Sequence, residues 1–450
     1  MSRTGALFAT RQLDHYPTGG RRIFLLFVAV VATVIASYEA QIAPVLPLLM
    51  KDIGMSLQQY GFVVMSTVIF AALGAMLFGP VCDRRGRTTV LIPALFGTAV
   101  CVFAMTLVDS VATLFVVRAF LGFIEGAVIA ASAGLVRDFS PRMGRAVAYG
   151  FWTFGPVGSS FMAAAIAGYT LPFLHTWQSQ FYIAGGISLV VAVFVLFTMQ
   201  DLAPEVRHRI MHTASQAVSG SGGTEQARQT ADSSMRAAMR YGRVWAMIVG
   251  VTLFLMLYLT LQQFGPKILV DAYHYSPDEA AYLSQYFWLL NLITLIGAGV
   301  LSDRLQRRKI VSFVGSILTL AVMLVWIPLA GSHPSEGSMI ALMSLLGGFF
   351  GVTFAPWMAW FSETLEDIST AIQASGWALW TAVLRIYVVI TVVPMTFIAQ
   401  HFGWAPWLWA TVGGVVLYIL TVIASRHTPW LRRQDAEIEE HVYVPETIAE

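Results

Sequence analysis

The chain has 450 residues, of which 57% are hydrophobic and 12% are charged, and its formal net charge at pH 7 is +2. Soluble domains carry about 25% charged residues, so half that amount leaves too little polar surface for a water-soluble fold. The charge of +2 gives no support for nucleic-acid binding.

Twelve apolar stretches follow one another along the chain. A helix of about 20 residues crosses the hydrocarbon core of a bilayer, so each stretch is long enough. The stretches are too long and too evenly apolar for the alternating strands of a barrel. The sequence therefore predicts an all-α membrane protein with twelve transmembrane helices in two six-helix halves. The predicted spans are 23–48, 58–80, 88–108, 112–136, 145–169, 178–200, 243–265, 280–302, 309–330, 338–361, 370–397 and 402–425.

Polar segments divide the chain further. The central one is rich in Ser, Gly and Arg, which indicates a flexible cytoplasmic linker. The predicted organisation is an N-tail at 1–22, a six-helix bundle at 23–200, a linker at 201–242, a second bundle at 243–425 and a C-tail at 426–450.

Basic residues predict the orientation. On this map, 23 of the 27 Lys and Arg residues lie in the tails and in loops on one side. Lys51 and Lys267 lie on the other side, while Arg118 and Arg385 lie within spans. Because short basic loops resist translocation, we expect a multi-pass protein of the cytoplasmic (inner) cell membrane with both termini in the cytoplasm.

An internal repeat relates the two halves. Gly, Asp, Arg and Arg recur at a constant offset of 220 residues in the segments 79–87 and 299–307, each between a second and a third span. A weaker echo pairs Trp152 with Trp380. Repeats of the same topology are one known transporter architecture.

The segment 79–87 reads G-x-x-x-D-R-x-G-R, and 118–122 reads R-x-x-x-G. In these motifs the chain resembles the major facilitator superfamily. That resemblance implies a monomeric secondary transporter that alternates access between two halves, with the first and fourth helices lining the cavity. The segment 37–39 is similar to the acidic first-helix motif of metabolite–proton symporters, including those for aromatic and other organic acids. Gly155-Pro156 is similar to a motif of drug–proton antiporters, so both branches stay open.

Four ionised side chains fall within spans: Glu39, Arg118, Glu125 and Arg385. Each costs at least about 2.5–3.5 kcal/mol at the bilayer centre, so each should face a cavity or a partner. We expect Glu39 to pair with Arg118 while Glu125 exchanges a proton; the alternative is a purely structural pair. Arg118 and Arg385 place one guanidinium in each half, which suits an anionic substrate. Alternatively, Arg385 only satisfies helix carbonyls.

Aromatic and amide side chains add candidates for substrate binding. The amides could instead bond one helix to another, which is common in membranes. Trp357 and Trp360, near the end of the tenth span, are expected to be interfacial anchors. The candidate substrate-binding residues, besides the two arginines, are Trp152, Gln262, Gln263, Tyr286, Asn291 and Trp380.

The repeated loop motif suggests a cytoplasmic gate. Its Asp can accept bonds from Arg side chains and from a helix N-terminus, and breaking them would let the halves rock. The alternative is that the arginines only set topology. The candidate gate residues are Gly79, Asp83, Arg84, Gly86, Arg87, Asp303, Arg304 and Arg307.

The sequence therefore predicts a secondary active transporter that imports a small organic anion with protons. The alternatives are a proton-driven antiporter that exports amphipathic compounds, and a transport-fold protein acting as a sensor. The sequence contains no nucleophile–base set, metal-ligand cluster or phosphate loop, so we expect neither an enzyme nor a cofactor. The expected partners are the substrate, protons and the lipid bilayer.

Overall fold

A computed structural model describes residues 12–37, 42–139, 145–203, 206, 239–305, 307–368 and 372–425. It describes only the backbone of Asp83, Arg137, 145–154, Gln373 and Ala374. Glu39, most of the predicted linker and the predicted C-tail lie outside the described residues.

The described chain is almost entirely helical, and the predicted all-α membrane fold is confirmed. Twelve helical spans have windows with a mean hydropathy of 1.4–2.5. The helices are α1 Gly19–Ala36, α2 Leu46–Asp52, α3 Leu57–Arg85, α4 Thr88–Ala104, α5 Val111–Phe139, α6 Arg145–Leu174, α7 Trp177–Thr198, α8 Gly242–Phe254, α9 Met256–Tyr273, α10 Pro277–Leu305, α11 Arg308–Trp326, α12 Glu336–Ile368, α13 Gln373–Phe402 and α14 Ala405–Ala424. Short 3-10 turns occupy Ala43–Val45, Met105–Leu107 and Ile327–Leu329, and the strands are β1 Gln12–Leu13 and β2 Asp201–Leu202.

The first and seventh spans differ from the predicted boundaries. The sequence predicts one helix over 23–48, whereas α1 ends at Ala36, and the next helical turn that the structure describes is Ala43–Val45. Pro44 and Pro47 lie in the first turns of the resumed segment, where a missing backbone N–H is tolerated. The seventh span is divided at Leu255 and continues past the predicted end to Tyr273.

The loops with Arg84 and Arg308 lie at one end of the bundle, which we call the basic end; the other is the opposite end. The second span of each half begins at the opposite end with a capping box. Ser56 and Gln59 exchange side-chain and backbone hydrogen bonds of 2.9 and 3.2 Å. Ser276 and Glu279 do the same at 2.9 and 3.4 Å. The two boxes are 220 residues apart, which is the offset of the loop motif.

Close helix packing also recurs in both halves. A Cβ built on Gly126 of α5 would overlap the Ala71 carbonyl of α3, and one on Gly347 of α12 would overlap the Phe287 carbonyl of α10. Gly122 and Gly351 complete two G-x-x-x-G pairs in the same contacts. Small residues at this spacing allow helix backbones to approach closely in a membrane.

A hydrogen bond at the opposite end ties the first helix of each half to its sixth. The Trp177 indole N–H donates to Asp52 at 2.8 Å, and the Trp404 indole N–H donates to Asp271 at 3.0 Å. In each half the acceptor ends a span that is interrupted in its middle. The bond therefore fixes the opposite-end segment of an interrupted helix to a continuous neighbour.

Candidate functional site

The fourth span places two ionisable side chains in the core of the first half. Arg118 is 1% exposed and Glu125 is 7% exposed. Counted from Val111, Arg118 lies about 10 Å and Glu125 about 21 Å from the opposite end of α5. Both face the interior because the glycines of α5 lock this helix against α3. The predicted partner Glu39 lies outside the described residues, so the Glu39–Arg118 pair stays a prediction.

The eleventh span carries the second predicted guanidinium. Arg385 is partly buried and forms no hydrogen bond or ion pair with any residue that the structure describes. It lies 17 residues from Phe402, which places it about 26 Å from the opposite end. Arg385 is therefore nearer in depth to Glu125 than to Arg118.

The predicted amides lie in three different settings. Gln262 of α9 lines a small pocket with Pro44, Ser160 and Trp288, which has room for about one water molecule. Asn291 is 2% exposed.

The Asn291 side chain donates to the Gly347 carbonyl at 3.0 Å. This bond joins α10 to α12, which is the helix-to-helix role given above as the alternative for the amides. Gln263 is buried in α9. The side chain of Trp152 lies outside the described part of the chain.

The two halves meet at the opposite end. A Cβ on Gly168 of α6 would lie 2.6 Å from Cα of Tyr282 in α10, and one on Gly61 of α3 would lie 3.1 Å from a methyl carbon of Thr396 in α13. Tyr169 packs edge-on against Tyr282 at 5.7 Å. These seams close the opposite end.

The predicted Tyr286 belongs to the same region. Its hydroxyl and that of Tyr282 are 2.7 Å apart. Because Tyr282 packs against the other half, Tyr286 supports the closed seam in this conformation.

At the basic end of the first half, Arg87 is buried and bonded within its own half. It forms an ion pair with Asp138 at the end of α5 and donates to the Gly134 carbonyl at 3.0 Å. Asp201 accepts the Arg87 backbone N–H at 2.7 Å. Because Arg87 precedes α4 directly, Asp201 serves as an acceptor at the N-terminus of that helix.

Asp201 also belongs to β2, which pairs in parallel with β1 near the N-terminus. The loop motif, the end of α5 and the chain after α7 are therefore joined at one point. Sequence reasoning missed Asp138 and Asp201.

The second half has a corresponding ion pair with a different arginine. Arg308 donates to Glu363 at the end of α12 at 3.0 Å and pairs with Asp303. Arg304 is exposed and Arg307 is partly exposed. The sequence repeat aligned Arg87 with Arg307 and so passed over Arg308.

Among the described residues, the remaining gate candidates make no contact that would show how they act. Arg84 is exposed, and the side chain of Asp83 lies outside the described residues. Gly86 has a φ of 101°, which disfavours any side chain there. A Cβ on Gly79 would meet open space. The predicted role of these residues in closing the basic end stays a prediction.

An aromatic cluster lies between the tenth and eleventh spans, and it includes the predicted Trp380. Trp357 and Trp360 are 0% and 2% exposed, so the expectation that they anchor at the lipid interface was wrong. Trp357 packs against Trp377 and Trp380 instead. Hydropathy identified the span but did not show which face of it packs inside.

Comparisons with known proteins agree with this architecture. The sequence profile described as Major Facilitator Superfamily matches residues 23–375. The chain belongs to the major facilitator superfamily. It is therefore a transporter rather than an enzyme, built as a multi-pass membrane protein.

Several relatives within the superfamily are similar over different lengths. The hexuronate transporter of Escherichia coli (strain K12) is 22% identical, over 81% of this chain and 85% of that protein. The 4-hydroxybenzoate transporter PcaK of Pseudomonas aeruginosa is 24% identical, over 67% of this chain and 69% of that protein. The multidrug resistance protein MdtG of Serratia proteamaculans (strain 568) is 27% identical, but the match spans only 38% of this chain and 43% of MdtG.

Solved structures support the fold alone. A D-xylose–proton symporter has a TM-score of 0.69 and 16% identity, covering 92% of this chain and 99% of that one. A bacterial homologue of the lysosomal transporter Spinster, in an inward-facing conformation, has a TM-score of 0.67 and 14% identity, covering 90% of this chain and 98% of that one.

Proposed function

We propose that this transporter imports a small organic anion together with protons across the cytoplasmic membrane, with both termini in the cytoplasm. The observation that carries the proposal is Arg385, a guanidinium in the middle of a span without a bonding partner among the described residues. An intramembrane cation needs a compensating charge or water. A transported carboxylate supplies that charge, and guanidinium binds carboxylates through two parallel hydrogen bonds.

The residue proposed for proton coupling, Glu125, lies in the first half. Glu125 is a buried carboxylate at about the depth of Arg385. The affinity of a buried carboxylate for a proton depends on its burial and on nearby cations. Binding of an anion at Arg385 would change the field at Glu125 and thereby link substrate to proton. Two relatives bear the names of organic-acid transporters, for hexuronate and for 4-hydroxybenzoate, which agrees with an anionic substrate.

Transport by purified protein in proteoliposomes tests the proposal. With an acidic exterior, we expect accumulation of radiolabelled 4-hydroxybenzoate or glucuronate that an uncoupler abolishes. Arg385→Ala should lower kcat/KM by about 10- to 150-fold, the effect of one lost hydrogen-bonded charge. Ile386→Ala is the matched control, because Ile386 is the next residue and is 59% exposed. Equal uptake by the two variants would remove the basis of the anion proposal.

A second variant tests the coupling separately. Glu125→Gln should retain exchange of substrate between the two sides while losing accumulation driven by the pH gradient. If this variant still concentrates substrate against its gradient, Glu125 is not the coupling carboxylate.

Export of amphipathic compounds is the second candidate. It is favoured by the partial match to MdtG. It predicts efflux of a cationic dye, driven by protons and unaffected by carboxylates, and no gradient-driven accumulation of either acid.

A further inference from the structure

Five aromatic rings form one cluster between α12 and α13. Phe354, Trp357 and Phe361 lie on one face of α12 and are stacked along it, with interplanar angles of 12° and 8°. Trp377 and Trp380 of α13 pack against this column, with centroid distances between 5.2 and 6.5 Å. The cluster presents several aromatic faces within a short distance of one another.

Two indole N–H groups of this cluster have no acceptor among the residues that the structure describes. The Nε1 atoms of Trp357 and Trp380 are buried and form no hydrogen bond within the described part of the chain. Buried polar groups are nearly always paired, and an exception calls for an explanation. Trp377 and Trp380 remain partly exposed and Trp357 is 0% exposed, so a ligand approaches from the α13 side and meets the Trp380 indole before that of Trp357.

Arg385 lies beyond the cluster on the same helix. It is five residues from Trp380, about 7.5 Å along the axis of α13 and about 140° around it, so its long side chain must turn back toward the cluster to reach the same ligand. The two indoles and the guanidinium are donors that lack acceptors among the described residues. A ligand that satisfies them must bring acceptors and negative charge, and aromatic side chains favour a ring that can stack or approach edge-on.

We infer that this cluster binds the ring of an aromatic carboxylate, whose acceptor groups pair with the indole N–H groups and with Arg385. The inference rests on the proposed transport of organic anions and specifies their class. A sugar acid also carries a carboxylate, but its saturated ring has no π face. The aromatic faces therefore favour benzoate-like acids over hexuronates.

Ligand pairs test this on the unaltered protein. Benzoate and cyclohexanecarboxylate share the carboxylate and differ in the aromaticity of the ring. We expect purified protein to be stabilised against heat by benzoate and 4-hydroxybenzoate, with cyclohexanecarboxylate and glucuronate at least ten-fold weaker. Equal binding of benzoate and cyclohexanecarboxylate would overturn the aromatic site, whatever the behaviour of the variants.

Substitutions then test the two donors. Trp380→Phe and Trp357→Phe keep a ring and remove the N–H, and each should weaken 4-hydroxybenzoate binding about five-fold, as for one neutral hydrogen bond. Trp409→Phe is the control, since Trp409 is 46% exposed on α14. Unchanged binding in both variants would mean that the indoles donate to aromatic faces inside the protein, and would overturn the inference.

The outcomes separate this inference from the function on which it rests. Uptake of glucuronate in preference to 4-hydroxybenzoate, unaffected by Trp380→Phe but lost in Arg385→Ala, overturns the aromatic site and leaves organic-anion transport standing. Failure to bind or transport any carboxylate overturns both.

Discussion

The contact between α3 and α5 yields a prediction whose size follows from the structure. In Gly126→Ala, the added methyl group overlaps the Ala71 carbonyl and lies 2.8 Å from the Ala75 backbone nitrogen. Ordinary contact begins near 3.4 Å, so α5 must move away by at least about 0.6 Å. A gap of 0.5–1 Å forfeits a quarter to a half of the dispersion attraction. Because the obstructing atoms belong to the backbone, no rotamer change can relieve the clash.

We expect Gly126→Ala to lower the free energy of unfolding by about 2 kcal/mol. Overpacking costs about 1–3 kcal/mol; the upper end applies here because the obstructing atoms are backbone, and the higher helix propensity of Ala offsets up to about 1 kcal/mol. Gly297→Ala in α10 is the control, because a Cβ there meets nothing within 4 Å and gains only the propensity. Unfolding in mixed micelles with increasing SDS measures both. If Gly126→Ala is as stable as Gly297→Ala, the close approach of the two helices is refuted.

The same assay checks three further predictions. Trp177→Phe and Trp404→Phe should each destabilise the protein by about 1.5–3 kcal/mol, since each loses a hydrogen bond to a carboxylate; Trp409→Phe, on an exposed side chain, should change stability by less than about 0.5 kcal/mol. Arg87→Ala should cost about 3–5 kcal/mol, because it leaves a buried carboxylate without its cation, and a smaller loss would show that water reaches the pair. Arg308→Ala should cost less than about 1 kcal/mol, because its acidic partners are 25% and 62% exposed; a loss as large as that of Arg87→Ala would contradict this.

The sequence predicts the spans well because their signal is local. Length and hydropathy decide whether a segment can cross a membrane, and the 220-residue offset of the loop motif recurs in the capping boxes of Ser56 and Ser276. The division of the first span was missed because Glu39 was interpreted as an ionisable residue inside one apolar run, although Pro44 and Pro47 marked the place. Hydropathy alone does not tell where a continuous apolar run stops being helical.

The candidate site was predicted less completely, for reasons of three-dimensional packing. Sequence spacing placed Arg118 and Glu125 on one face, and both are buried. It did not predict that Asn291 bonds α10 to α12, or that Trp357 joins an aromatic cluster, because both depend on which helix lies alongside. Arg308 was passed over because a constant offset cannot follow the one-residue difference between the two loops.

The repeated contacts of each half have a consequence for coupling. Capping boxes, the two G-x-x-x-G contacts, Trp–Asp bonds and basic-end ion pairs all lie within a half, so each half is stiffened as a body. The described seams between halves lie at the opposite end and consist of small residues and tyrosines. The ionisable candidates are divided: Glu125 belongs to the first body, and Arg385 with the aromatic cluster to the second. In the proposed function, coupling between proton and substrate must therefore pass from one body to the other.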